Sequence, residues 1–145
     1  MAEASNLFID PREIDNSYRD AKAYHANAVK LTQKEEPSYS SAVDIASMAL
    51  ENYLITLCYM NGERPYDHNY TALICAIDDL MDFPEELSAE IQSFDEMFGI
   101  RSMDDYRHGE PTAADAEKIL DICERVNAII EPLYNQKNKG QGSVH

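Results

Sequence analysis

Strand patterning, glycine clusters, cysteine pairs and basic charge are all scarce in this sequence, and each scarcity closes a class of function. No segment sustains period-two alternation, and no Asn-Gly or Asp-Gly turn sits between apolar runs, which excludes a sheet-based fold. The 5 glycines are scattered and none forms a G-x-G cluster, so no phosphate-cradling loop is present. H-E-x-x-H and G-x-S-x-G are missing, as are the Glu-x-x-His pairs of di-iron bundles. Three cysteines, Cys58, Cys75 and Cys123, lie far apart in apolar segments without a C-x-x-C pair. That spacing predicts small reduced core residues and neither a disulfide nor a zinc site. The first residues, MAEASNLF, lack the basic start and apolar run of a secretory signal, so a cytoplasmic protein is expected. Against 27 acidic residues stand only 12 basic ones, a net charge of -15. Such a chain repels phosphate backbones at long range, which argues against nucleic-acid binding by the protein alone. The charge implies either a solvated acidic surface or a basic partner.

The stretch that remains to organise the fold is Ser40 to Asn61. Val43, Ala46, Leu50, Leu54 and Cys58 form one stripe at helical spacing, and Ile45, Ala49, Tyr53, Leu57 and Met60 form a second. A helix apolar on nearly every face belongs at the centre of a bundle or between subunits. Asp44, Glu51 and Asn52 make it too polar to span a membrane.

Helices flank it on both sides. Asp10-Pro11-Arg12-Glu13 is a strong helix start, combining a capping residue, a proline at the first helical position and a Glu three residues after the cap. Ile14, Tyr18, Ala21, His25 and Ala28 then mark one face, with His25 read as a core or interface histidine. Gly62 suits a left-handed helix end. After a loop over residues 63–69, Leu73, Ala76, Ile77 and Leu80 mark a helix, and Leu87, Ile91, Phe94 and Phe98 mark another beyond Asp82-Phe83-Pro84. These two read as one interrupted third arm. Thr112-Ala113-Ala114-Asp115 opens a last helix carrying Ile119, Leu120, Cys123, Val126, Ile130 and Leu133 at core spacing. The fold expected is all-α, an antiparallel up-and-down bundle of four to five helices over residues 10–134, with a flexible arm at 1–9 and a disordered tail at 135–145. At this length a chain buries roughly 70% of its unfolded surface, enough to fold without metal or disulfide. No cofactor is implied.

Chemistry concentrates in one place. Carboxylate pairs such as Asp78-Asp79, Glu85-Glu86 and Asp104-Asp105 diverge on a helix and read as solvated surface. Arg101, Arg107 and His108 are the densest group of phosphate-compatible donors in an acidic chain. Arginine can clamp a phosphate and a nearby histidine can move protons near neutral pH. Arg101 and His108 are therefore the candidate catalytic pair, with Arg107 and Tyr106 as candidate ligand-binding residues. The competing reading is local pairing of the arginines with Asp104, Asp105 or Glu110.

Three stretches resemble the HEPN family of small helical bundles. Ala46-Ser-Met-Ala49-Leu-Glu51-Asn-Tyr-Leu54 is similar to the family's central-helix pattern A-x-x-A-x-E-x-x-L. The loop ending in Asp67-His68 is similar to its Thr-His entry into the next helix, and Arg101-x6-His108 is similar to its R-x(4–6)-H region. The resemblance implies a dimerising bundle. In catalytic members the Arg and His of two subunits meet and cut RNA without metal, while other members act as binding or partner modules, often beside a minimal nucleotidyltransferase. This chain departs from the catalytic pattern. Ser102 follows the Arg where a polar Asn, Asp or His is usual, His108 is followed by Gly109 and Pro111, and Asn52 and Ile55 replace the lysines near the central Glu. The reading is a non-catalytic binding or partner module. The alternatives are a metal-independent endoribonuclease of the toxin type and a structural dimeric scaffold for a basic partner. A homodimer through the first two helices is expected, with Ile14, Tyr18 and His25 facing outward.

Overall fold

The computed structural model describes the backbone of residues 8–97 and 110–142, and the side chains of 8–95 and 110–137. Five helices follow in order: α1 (Pro11–Thr32), α2 (Tyr39–Met60), α3 (Tyr70–Leu80), α4 (Glu85–Met97) and α5 (Ala113–Gly142). The described residues contain no strand, and the chain is the helical bundle that its periodicity predicts.

Local chemistry sets the ends. The Asp10 carboxylate accepts from the Arg12 amide at 2.9 Å while Glu13 reaches back to the Asp10 amide at 3.1 Å, so two amides that the helix cannot satisfy are satisfied reciprocally. Gly62 takes φ 80°, a region open to glycine at little cost. There Gly62 N donates to Tyr59 O at 3.0 Å and Glu63 N to Cys58 O at 2.9 Å, which closes α2 in a paired Schellman arrangement. At α5 the same reciprocity recurs, with Thr112 N donating to Asp115 Oδ2 and Asp115 N to Thr112 Oγ1.

The core forms around α2, from which Ala42, Val43, Ala46, Ala49, Leu50, Tyr53, Leu54, Leu57 and Cys58 are all buried. α1 covers one side, through Ala21 and Ala28, and runs antiparallel to α2, since Ser17 meets Thr56 at 2.8 Å and His25 meets Tyr53 at 2.8 Å. α5 covers a second side, with Cys123 against the Ala46 carbonyl. α3 covers a third and runs in the same direction as α2, because Tyr70 near its start reaches Ser47 and Met81 at its end reaches Asn61. The loop over residues 62–69 carries the chain back along α2 to make this possible.

Several expectations need correction. α3 and α4 are not one interrupted arm. They fold back on each other, with Ser88 against Asp78 and Asp95 against Tyr70, while buried Phe83 fills the turn. Cys75 is exposed, because Tyr70, Leu73, Ile74 and Ile77 define the core face of α3 and position 75 falls on the other side. Leu133 is exposed too. Past Ile130 it is Tyr134, one position beyond Leu133, that turns to the core, against Tyr18 and with a hydrogen bond to Asp15 of α1. Helix α5 runs on to Gly142, through the start of the stretch that the sequence reads as a tail. Finally, Ile14 and Tyr18 do not face outward. They are 4% and 2% exposed and lie inside the protomer.

Candidate functional site at the edge of the central helix

The two flanks of α2 differ. Toward α1 and α5 lies a closed seam of aromatic and polar side chains. Tyr18 donates to Asn127 Oδ1 at 2.6 Å, Tyr134 donates to Asp15, and the Tyr18 ring lies 4.6 Å from that of Tyr134. Burial pushes the Tyr18 hydroxyl up to about 12. Half-buried His25 shares a hydrogen bond with fully buried Tyr53, and their rings meet edge to face at 5.8 Å. Burial holds the His25 imidazole below its ordinary value and so favours the neutral ring, with the charge of Glu124 opposing. Among the described residues no buried side-chain nitrogen or oxygen is left without a partner. This is the arrangement of a structural seam, and half-buried His25 is part of it.

The other flank is open. On α2 the positions Asp44, Ile45, Met48, Glu51 and Asn52 recur at helical spacing and are each at least partly exposed, Met48 by 37%. At the lower end of this strip His68 Nδ1 lies 3.2 Å from Glu51 Oε2. These are two of the residues that carry the family resemblance, one from the central helix and one from the loop before α3, separated by 17 positions and brought together because α3 runs alongside α2. Both side chains are substantially exposed, so the pair contributes at most about 1 kcal/mol to stability.

A third residue anchors this edge. Asp95 of α4 accepts from Tyr70 N at 3.0 Å, Thr71 N at 2.7 Å and Thr71 Oγ1 at 2.6 Å. Asn69 adds a second cap through Ala72 N at 2.8 Å. The start of α3 is thus held from two directions, and His68 is held with it. Sequence reasoning missed Asp95. A signal was available, because a carboxylate in the last turn of a helix opposes that helix's own dipole and so suits the start of another. The loop is tied at its other end by Arg64, which pairs with Glu13 at 2.7 Å and lies over the Tyr59 ring.

Arg101, Tyr106, Arg107 and His108, the catalytic and ligand-binding candidates from sequence, lie outside the described residues. Among the described residues no three His, Cys, Asp or Glu side chains are grouped to hold a metal ion, and no helix is long and apolar enough to cross a membrane.

The architecture is that of a small all-α bundle wrapped on one buried helix, with a Glu–His contact at its rim. The HEPN domain family matches the chain over residues 14–133, and the chain belongs to that family. No curated protein and no solved structure matches it.

Proposed function

We propose that this chain is a non-catalytic HEPN module that acts by binding a partner protein. The observation that carries this reading is the open flank of α2. The helix that organises the core leaves Ile45 and Met48 partly in water, bordered by Asp44 and Glu51. Elsewhere the polar side chains around α2 are spent on structure: Arg64 on Glu13, Asp95 on the start of α3, and His25 on Tyr53. The net charge of -15 favours a basic protein over RNA. A homodimer and an associated minimal nucleotidyltransferase are the assemblies that the family likeness brings to this reading. The free thiols of Cys58, Cys75 and Cys123 fit a reducing cytoplasm.

Sedimentation of the pure protein, alone and mixed with a nucleotidyltransferase encoded beside it, tests the proposal. A complex supports it. A protein that stays monomeric and binds neither that partner nor basic proteins at low salt contradicts it. So does cleavage of a mixed RNA pool in EDTA that is lost in His108→Ala, which would make Arg101 and His108 a catalytic pair after all.

A further inference from the structure

Resting on the partner-module reading, we infer that the open flank of α2 is the docking surface for a basic amphipathic helix of another protein. α2 contains no Lys or Arg at all, and its only charges, Asp44 and Glu51, both fall on the open flank. Between them Ile45 and Met48 supply the apolar positions, so the flank reads acid, apolar, apolar, acid over two turns. The antiparallel register set by Ser17–Thr56 and His25–Tyr53 brings α1 alongside, and partly exposed Tyr24 extends the apolar strip across the groove between the helices.

Two antiparallel helices with a shared groove accept a third helix that lays its apolar face between them. Methionine suits the floor of such a groove, because its unbranched side chain repacks against varied partners. The acids at each end of the strip then select the occupant. A second copy of this chain would bring α2 against α2 with carboxylates and no Lys or Arg on either helix. A helix with Lys or Arg flanking Leu or Ile meets complementary charge at both ends. Glu51 already holds His68, and a competing cation would release that imidazole.

The experiment uses two synthetic peptides of one composition, Lys and Leu, one patterned as an amphipathic helix and the other scrambled to spread its leucines round the helix. Binding to the full chain is followed by fluorescence anisotropy. Met48→Glu is the decisive variant, since it adds negative charge while removing the apolar anchor, and the site is exposed enough to leave folding intact. The patterned peptide is expected to bind roughly tenfold more tightly than the scrambled one, and Met48→Glu to abolish that preference. Equal binding of the two peptides, or unchanged or tighter binding by Met48→Glu, overturns the inference, because charge alone then accounts for the attraction. Self-association that disappears in Met48→Glu also overturns it and assigns the strip to a second copy. If a natural partner co-sediments equally with wild type and Met48→Glu, the strip is wrong but the partner-module reading stands.

Discussion

The two flanks of α2 are built from one helix and teach opposite lessons. Toward α1 and α5, Leu50, Tyr53 and Leu54 are fully buried, and each polar atom that enters the seam is matched, Tyr18 to Asn127 and Tyr53 to His25. On the open flank, Met48 sits 37% exposed between carboxylates. Residues two positions apart on one helix thus face a packed interior and water. A buried seam is costly to disturb because cavities and unpaired polar groups both carry full penalties. An open flank can change its side chains with little cost to folding, which leaves it free to serve recognition.

Substitutions should separate the flanks by size of effect. Leu54→Ala, made in the fully buried centre, is expected to cost about 2–5 kcal/mol in urea unfolding, whereas Met48→Ala should stay within about 0.5 kcal/mol of wild type. Similar losses at both positions would remove the distinction. Tyr53→Phe leaves the ring in place but strips His25 of its partner, for an expected loss of about 1–3 kcal/mol. A smaller effect, about 0.5–2 kcal/mol, is expected from Asp95→Ala, together with faster hydrogen exchange at the Tyr70 and Thr71 amides. Exchange unchanged at those two amides would mean that Asp95 does not hold the start of α3. Gly62→Ala should cost about 1 kcal/mol through its positive φ.

Acidification sharpens the same contrast. His25 in the folded seam binds a proton less readily than in the unfolded chain, whose value is near the ordinary 6.5. Below that value the unfolded state takes up the proton first, so stability is full above about 6.5 and falls as the pH drops from there through the folded-state value. His25→Asn should flatten this part of the profile. Asp10 and Glu13 are held low by Arg12 and Arg64 respectively, so the stability they add is present at neutral pH and is lost only at more acid pH, below their ordinary values of 3.8 and 4.5.

Much of this could be read from the chain because it is local. The capping box at Asp10, the stop at Gly62 and the start at Thr112 each depend on residues within a few positions, and all appear as their spacing predicts. The central helix was equally legible, since two apolar stripes on one segment place it in the middle of the bundle, although they do not foretell that Ile45 and Met48 stay partly in water on its open flank. What depended on direction was not legible. Periodicity cannot tell that α3 runs parallel to α2, and so could not predict that Glu51 and His68, each singled out alone, would touch. Nor could it assign the seam of Tyr18, Asn127, Tyr134 and Asp15, whose partners lie more than a hundred positions apart. Nor does periodicity say which neighbour takes the α1 stripe: α2 is packed along it through Ser17 and His25, and α5 closes its edge at Tyr18.

The most direct test is methyl NMR of the isolated protein, labelled at Met and Leu, with a soluble paramagnetic probe added. The Met48 methyl is expected to broaden strongly while those of Leu50 and Leu54 keep their intensity. Equal protection of Met48, or equal broadening of Leu54, would contradict the division of α2 into a sealed flank and one open to a partner.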